Sequence, residues 1–304
     1  MQQPAKGGDD LEASFPPGLY VVATPIGNLE DITLRALRAL READLIACED
    51  TRQTQKLLNH YGISTRTVSY HEHNEMSRAP ELVRELEQGR RIALLTDAGT
   101  PGVSDPGFRL ISLAIQHHLP VVPIPGPSAL LAALVASGLP ADSFHFRGFL
   151  PAKRGQRRKV LEEIKSSSQT HIFYEAPHRI RETAEDVVEV LGNARPIVVA
   201  RELTKIHEEF LRGPAGEVLK TLQERGEIRG EITLLIGKAE TLDVSKVCVE
   251  TGALARPTIQ QRLAQIMAEE KLEEKAALKK VARERGISKS EAYRELLANR
   301  QPKT

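Results

Sequence analysis

Short β-branched apolar runs alternate with helical segments of about ten residues along the first half of this chain, and that alternation most limits its fold. GLYVVAT (18–24) is followed by residues 33–43, where Leu34, Leu37 and Leu40 share one side and Arg35, Arg38 and Arg41 another. That is the 3.6-residue period of an amphipathic helix. Leu45 to Cys48 then reads as a strand, Gln53 to His60 as a helix, Thr67 to Tyr70 as a strand, and Ser77 to Gln88 as a helix with Gly89 just past its end. A strand from Ile92, a helix over 108–117 and a strand over 121–124 continue the pattern. Strands separated by helices of this length predict a mostly parallel, helix-flanked sheet.

Composition narrows the setting. The chain has 304 residues, 40% hydrophobic and 27% charged, with a formal net charge of +1 and no Trp. Core material suffices for two domains, and nucleic-acid contact would have to come from local patches. Cys48 and Cys248 stand far apart without metal-ligand spacing, so neither a disulfide framework nor a zinc site is expected. No run approaches the roughly 20 apolar residues of a spanning helix. The expected home is the cytoplasm, without a membrane anchor.

The chemistry concentrates in IALLTDAGTPGVSDPG, residues 92–107. A buried strand ends at the acid Asp97 and breaks into a loop with glycines at 99, 102 and 107 and prolines at 101 and 106. Such a loop lets main-chain N–H groups approach a ligand closely. It carries neither GxGxxG nor GxxxxGK[ST], so a pyrophosphate is not the first choice. A carboxylate at the strand end suits ribose hydroxyls or a positive charge. The alternative is a plain strand-to-helix connection shaped by Gly and Pro, with Asp97 capping a turn.

Further along, PAKRGQRRK (151–159) holds five basic residues and no acid, which makes Lys153, Arg154, Arg157, Arg158 and Lys159 candidates for an RNA backbone. A composition shift there marks a domain boundary. Beyond it 169–175, 196–200, 207–211 and 231–236 read as strands, with helices over 180–191 and 214–224. The expected organisation is a disordered leader (1–17), an N-terminal α/β domain (18–148), a second α/β domain (149–240), a linker, and a small helical tail module (257–304). That tail has eleven Lys and Arg against seven Glu. Within it, 285–287 would join two helices in a helix-turn-helix, with Ser288 and Glu291 at capping-box spacing.

Taken together, VVATPIGNLEDIT (21–33), CEDTR (48–52), YHEHN (70–74), LLTDAGTPGVSDPG (94–107), PIPGPSALLAAL (123–134), FRGFLP (146–151), YEAPHR (174–179) and GEITLLI (230–236) resemble the tetrapyrrole methylase superfamily. Within it they are closest to the branch of 16S ribosomal RNA cytidine 2′-O-methyltransferases. The blocks span about 220 residues in order. The resemblance implies two α/β domains of the tetrapyrrole methylase type with S-adenosylmethionine in the interdomain cleft, a homodimer, and 16S rRNA or the 30S subunit as partner. It implies cofactor contacts from Ile26, Asp97, Thr100, Pro101, Gly102, Val103, Ser128, Ala129 and Ala176, with Leu203 and Ile232 as weaker transfers. Many superfamily members carry an acid where this chain has Thr100, so Asp97 or Asp105 would supply the carboxylate.

Methyl transfer needs alignment, water exclusion and a way to take the hydroxyl proton. The sequence does not identify the base. Asp50, His71 and Glu175, at strand ends, are weak candidates for which capping or hydrogen-bonding roles compete. His71 and His73 lack a third ligand partner, so no metal is expected. Two other functions fit parts of the chain. A methylase of a tetrapyrrole precursor leaves the basic segments idle, and a non-catalytic RNA-binding protein leaves the glycine-rich loop idle.

Overall fold

A computed structural model describes residues 14–239, together with Leu263, Ile266, Met267 and Glu274–Arg285. The chain divides into two units, Met1–Val247 and Cys248–Thr304.

The first unit contains two five-stranded sheets. The first is parallel throughout and runs in the order β3-β2-β4-β1-β5, from β1 (Gly18–Val22), β2 (Leu45–Cys48), β3 (Thr67–Ser69), β4 (Arg91–Leu95) and β5 (Val121–Ile124). Strand alternation sends side chains to opposite faces, and both are covered. Tyr20, Val22, Ile46 and Leu95 pack beneath α1 (Leu34–Glu42) and α2 (Thr51–His60). Leu19, Val21, Ala47 and Leu94 pack beneath α3 (Glu75–Glu87) and α4 (Phe108–Gln116). β1 and β4 are therefore neighbours whose following helices lie on opposite faces. This opens a crevice beyond their C-terminal ends, where ligands of open α/β sheets bind.

The second sheet runs β6-β7-β10-β8-β9, from β6 (Phe144–Phe149), β7 (Thr170–Glu175), β8 (Pro196–Arg201), β9 (Glu209–Pro214) and β10 (Ile232–Ile236). Only β6 and β7 pair in parallel; the other pairs are antiparallel. Phe173, Val199, Leu211 and Leu234 face a core closed by α6 (Arg154–Glu163), α7 (Ile180–Leu191) and α8 (Ala215–Gln223). The opposite face, with Ile172, Val198, Ala200 and Leu235, is covered by α5 (Ala129–Ser137) through Ala133 and Leu134, joined by Ile26 and Leu203. Thus α5 follows the first sheet in sequence and covers the second in space. Its sequence ALLAALVAS is apolar nearly all round, yet only the side with Ala133, Leu134 and Ser137 is buried; Leu131 and Val135 are exposed.

Two expectations change. Residues 144–148, placed in the first domain by the sequence, lie in β6, which pairs with β7 and belongs to the second sheet. Residues 14–17 are not a loose leader: the Ser14 hydroxyl and the Phe15 N–H both donate to Glu42, and Phe15 packs against Tyr20. The basic segment after Pro151 is largely helix, and α6 starts at Arg154.

In the second unit, α9 (Glu274–Arg285) contributes Ala277, Leu278, Val281 and Ala282 to a small core that includes Leu263 and Ile266. The predicted turn after Arg285 and the capping-box pair Ser288 and Glu291 lie outside the described residues, as does Cys248. Cys48 is a buried free thiol, and no helix among the described residues is long and apolar enough to cross a membrane.

Candidate active site

A cavity of about 620 Å³ lies where the C-terminal ends of the first sheet meet the ends of β7 and β8 and the start of β10. The volume falls within the range of small-molecule sites. One wall carries Ile26, Glu49, Asp97, Thr100, Val103, Ser104 and Asp105, with Ser128 and Ala129 beside them. The other carries Phe149, Tyr174, Glu175, Ala176, Ala200, Leu203, Glu231 and Ile232.

The glycine-rich loop is fastened to the sheet by its main chain. Thr24 and Gly99 exchange N–H···O bonds of 2.8 and 3.1 Å, and the Thr24 hydroxyl donates to the Thr96 carbonyl at 3.2 Å. Gly99 and Gly102 adopt φ of +82° and +81°, which L side chains rarely take. At Gly107 a Cβ would stand 3.0 Å from the Gly102 nitrogen, so glycine is what lets the loop fold back on itself. The Gly102 N–H donates to the Pro106 carbonyl at 3.3 Å and closes that turn.

Of the sequence-predicted cofactor residues, Ile26, Asp97, Thr100, Val103, Ser128, Ala129 and Ala176 come together on the cavity, as do Leu203 and Ile232. Pro101 and Gly102 do not line it; they shape the loop, and Pro101 is buried. Asp97 Oδ1 accepts the Asp50 N–H at 3.1 Å, tying the ends of β4 and β2 together. Glu49 has its carboxyl pushed up by burial and by the charge of Asp97, and Asp105 is pushed up to about 6 by burial, Glu49 and Asp97.

The weak catalytic candidates fare differently. Asp50 caps α2, accepting the Arg52 N–H at 2.8 Å and pairing with its guanidinium, which holds the carboxyl down at about 2. His71 stands away from the cavity lining, its N–H bonded to Asn74 Oδ1 at 2.9 Å. Glu175 lines the cavity but is spent on structure. It is 2% exposed and accepts from the Ala176 N–H, both Arg179 nitrogens and the Thr183 hydroxyl. A carboxylate so fully engaged fixes the turn after β7 instead of accepting a proton.

The basic run is also corrected. Arg157 is fully buried and bonds Asp186 on α7 through Nε at 2.7 Å, so it cannot reach a phosphate. Arg154 pairs with Asp186 and Glu189, and Arg158 with Glu189. A window of sequence shows five cations, but their counter-ions sit about thirty residues later, on the neighbouring helix. Lys153 and Lys159 remain exposed. Sequence reasoning passed over Phe149 and Tyr174, which meet edge to face at 5.6 Å on the cavity wall. Phe149 is 59% exposed and presents its ring at the cavity wall.

Residues 18–219 match the family described as Tetrapyrrole (Corrin/Porphyrin) Methylases. The chain belongs to the tetrapyrrole methylase family. It is 49% identical over 276 residues to the ribosomal RNA small subunit methyltransferase I of Halalkalibacterium halodurans, covering 90% of this chain and 93% of that one. It is 45% identical over 255 residues to the protein of the same name from Escherichia coli O157:H7, covering 83% and 89%. Two solved structures share the tetrapyrrole methylase fold at lower identity. Diphthine synthase aligns with a TM-score of 0.60 at 16% identity over 76% of this chain and 94% of that one. The uroporphyrin-III C-methyltransferase of Thermus thermophilus, complexed with S-adenyl homocysteine, aligns with a TM-score of 0.51 at 20% identity over 73% and 98%.

The donor set suits a sulfonium cofactor. No Lys, Arg or His is among the cavity-lining residues, whereas Glu49, Asp97 and Asp105 share one wall. That arrangement repels phosphates and welcomes a cation and hydroxyl donors. Ile26, Ala98, Ala129, Ala176 and Leu203 add apolar surface for a flat ring.

Proposed function

We propose that this chain is a cytoplasmic S-adenosylmethionine-dependent methyltransferase that methylates the 2′-hydroxyl of a cytidine ribose in 16S ribosomal RNA of the small subunit. The observation that carries the reading is a carboxylate-walled, cation-free cavity in a chain 45–49% identical, over most of both lengths, to relatives named ribosomal RNA small subunit methyltransferase I.

Ile26, Asp97, Thr100, Val103, Ser128, Ala129 and Ala176 are assigned to the cofactor. Asp97, exposed and anchored through Asp50, is the acceptor for its hydroxyl or ammonium groups, and the alanines and Ile26 hold its ring. When bound, the cofactor supplies an activated methyl group, so the protein's task is alignment and exclusion of water. The two sheets serve that task from opposite sides: the first holds its loop rigid through the Thr24–Gly99 pairing, and the second closes the space with Phe149, Tyr174 and Leu203.

The tetrapyrrole reading is less compatible with the same wall. A macrocycle bearing several carboxylates would meet Glu49, Asp97 and Asp105 with no cation lining the cavity to offset them. A ribose and base presented by RNA are neutral, and their phosphates stay outside. We assign the enzyme as a homodimer, supported by the exposed Leu131 and Val135 of α5.

The test is to incubate the protein with radiolabelled S-adenosylmethionine and either 30S subunits, naked 16S RNA or a tetrapyrrole precursor, and to map the label. Label on a cytidine ribose supports the proposal; label on the precursor alone overturns it.

A further inference from the structure

We propose that Asp105 is the general base of this site, accepting the proton of the ribose hydroxyl as it is methylated. The inference rests on the ribose-methylation reading above and adds the catalytic group that reading lacks. The carboxylates lining the cavity are not equivalent. Glu175 is consumed by Ala176, Arg179 and Thr183, and Glu231 is paired with Lys205 at 2.9 Å. Asp97 accepts the Asp50 N–H, and Glu49 stands beside it at the end of β2, its carboxyl pushed up by burial and by the charge of Asp97. Asp105 has neither a hydrogen bond nor an ion pair among the described residues, although it is half-buried and faces the cavity. Its carboxyl oxygens are therefore free to accept from a ligand in the cavity.

Its surroundings give it both rigidity and direction. Ser104, immediately before it, takes φ of +61°, and Pro106, immediately after, is buried with its carbonyl bonded to the Gly102 N–H. The loop tip abuts the bulge of β6. Gly148 there has φ of +66°, and a Cβ on it would stand 3.3 Å from the Ser104 hydroxyl oxygen. Asp105 therefore lies between the acidic strand ends of the first sheet and the Phe149–Tyr174 pair of the second. Its charge reaches Tyr174, whose hydroxyl is pushed up to about 12 by burial first and by Asp105 next. An exposed aromatic beside a free carboxylate fits an unstacked nucleoside, with the base on Phe149 and the ribose at Asp105.

The chemistry balances without a further reactant. The hydroxyl oxygen forms its bond to the methyl carbon as the carbon–sulfur bond breaks, that bond's electron pair goes to the sulfonium sulfur, and the hydroxyl proton passes to the Asp105 carboxylate. The groups facing Asp105 are Glu49 at the end of β2, Asp97 after β4 and Tyr174 on β7, with Glu231 beyond Tyr174. Burial first, then the charges of Glu49 and Asp97, raise it to about 6, close to the optimum for a base working near neutrality.

The experiment compares wild-type protein with Asp105→Asn in single-turnover transfer to 30S subunits or naked 16S RNA, whichever the wild type labels. The variant should lose roughly 100-fold or more in rate, with calorimetric affinity for S-adenosylmethionine within about twofold of wild type. The wild-type rate should fall about tenfold per pH unit below about 6, and the variant's residual rate should be flat there. A readout independent of turnover is carboxyl-carbon NMR of the protein alone, in which one aspartate resonance should titrate near 6 and vanish in Asp105→Asn. Should Asp105→Asn fail to fold, Asp105→Glu serves in its place, with a reduced rate and a retained acid limb. A variant as fast as wild type, or an Asp105 resonance titrating near the ordinary value of about 3.9, overturns the assignment while leaving the proposed function standing. Absence of any label from wild type on either RNA overturns both.

Discussion

The two walls of the cavity are built from the same kinds of residue and use them in opposite ways. The wall from the first sheet keeps Asp97 and Asp105 turned toward the cavity, held by main-chain bonds and glycine conformations. The wall from the second sheet also carries acids, Glu175 and Glu231, but each is paired with a cation of its own half, Arg179 or Lys205. What the second sheet offers a ligand is surface: Phe149, Tyr174, Ala176, Ala200 and Leu203. Charge near a ligand site thus means recognition or catalysis only where the fold leaves it uncompensated.

The hardest test of that contrast is Arg157→Ala in the second half. Removing this buried guanidinium leaves Asp186 uncompensated in the interior, and a loss of about 3–5 kcal/mol in urea unfolding is expected. RNA affinity measured under folding conditions should be unchanged; a specific loss of RNA binding with normal stability would break the comparison. Asp97→Ala, in the first wall, should weaken S-adenosylmethionine binding by about 1.5–3 kcal/mol in calorimetry while leaving the fold intact. Unchanged affinity would remove Asp97 from the site. Phe149→Ala, in the second wall, should raise KM for RNA by an amount corresponding to about 1–3 kcal/mol, the worth of one stacked base, with cofactor affinity preserved.

The smallest effect is on stability at alkaline pH. Folding raises the Asp105 pKa above its unfolded value, so the charged form is disfavoured in the native state. Its cost to stability is absent below the unfolded value near 4 and is complete above about 6. Asp105→Asn should therefore melt slightly higher than wild type at pH 8, by about 2 °C, and no higher at pH 4. A variant that melts lower at pH 8 would mean that Asp105 holds the loop together.

Much of this was legible from the chain alone, for an identifiable reason. The strands, the loop after β4 and most of the proposed cofactor contacts depend on local pattern: apolar runs, glycines and prolines at fixed places. The basic run misled because the partners of Arg154, Arg157 and Arg158 lie on α7, near position 186, and no window of sequence contains both sides of a helix pair. Phe149 was passed over for a related reason. An aromatic in a strand reads as core, and only the bulge between Phe146 and Phe149 turns this one toward the cavity. Glu175 looked available until Arg179 and Thr183, one and two turns along the following segment, were seen to close on it.

The position of α5 carries a consequence for how such a molecule is divided. Its residues follow the last strand of the first sheet, yet Ala133 and Leu134 form part of the apolar layer over Ile172, Val198 and Leu235 of the second. A cut between the two sheets would have to fall on one side of this helix or the other. Placed after it, the cut strips one face of the second sheet; placed before it, the cut removes Ala129 from the wall that holds Asp97. The cavity is thus a property of the joined pair, and neither half can inherit it alone.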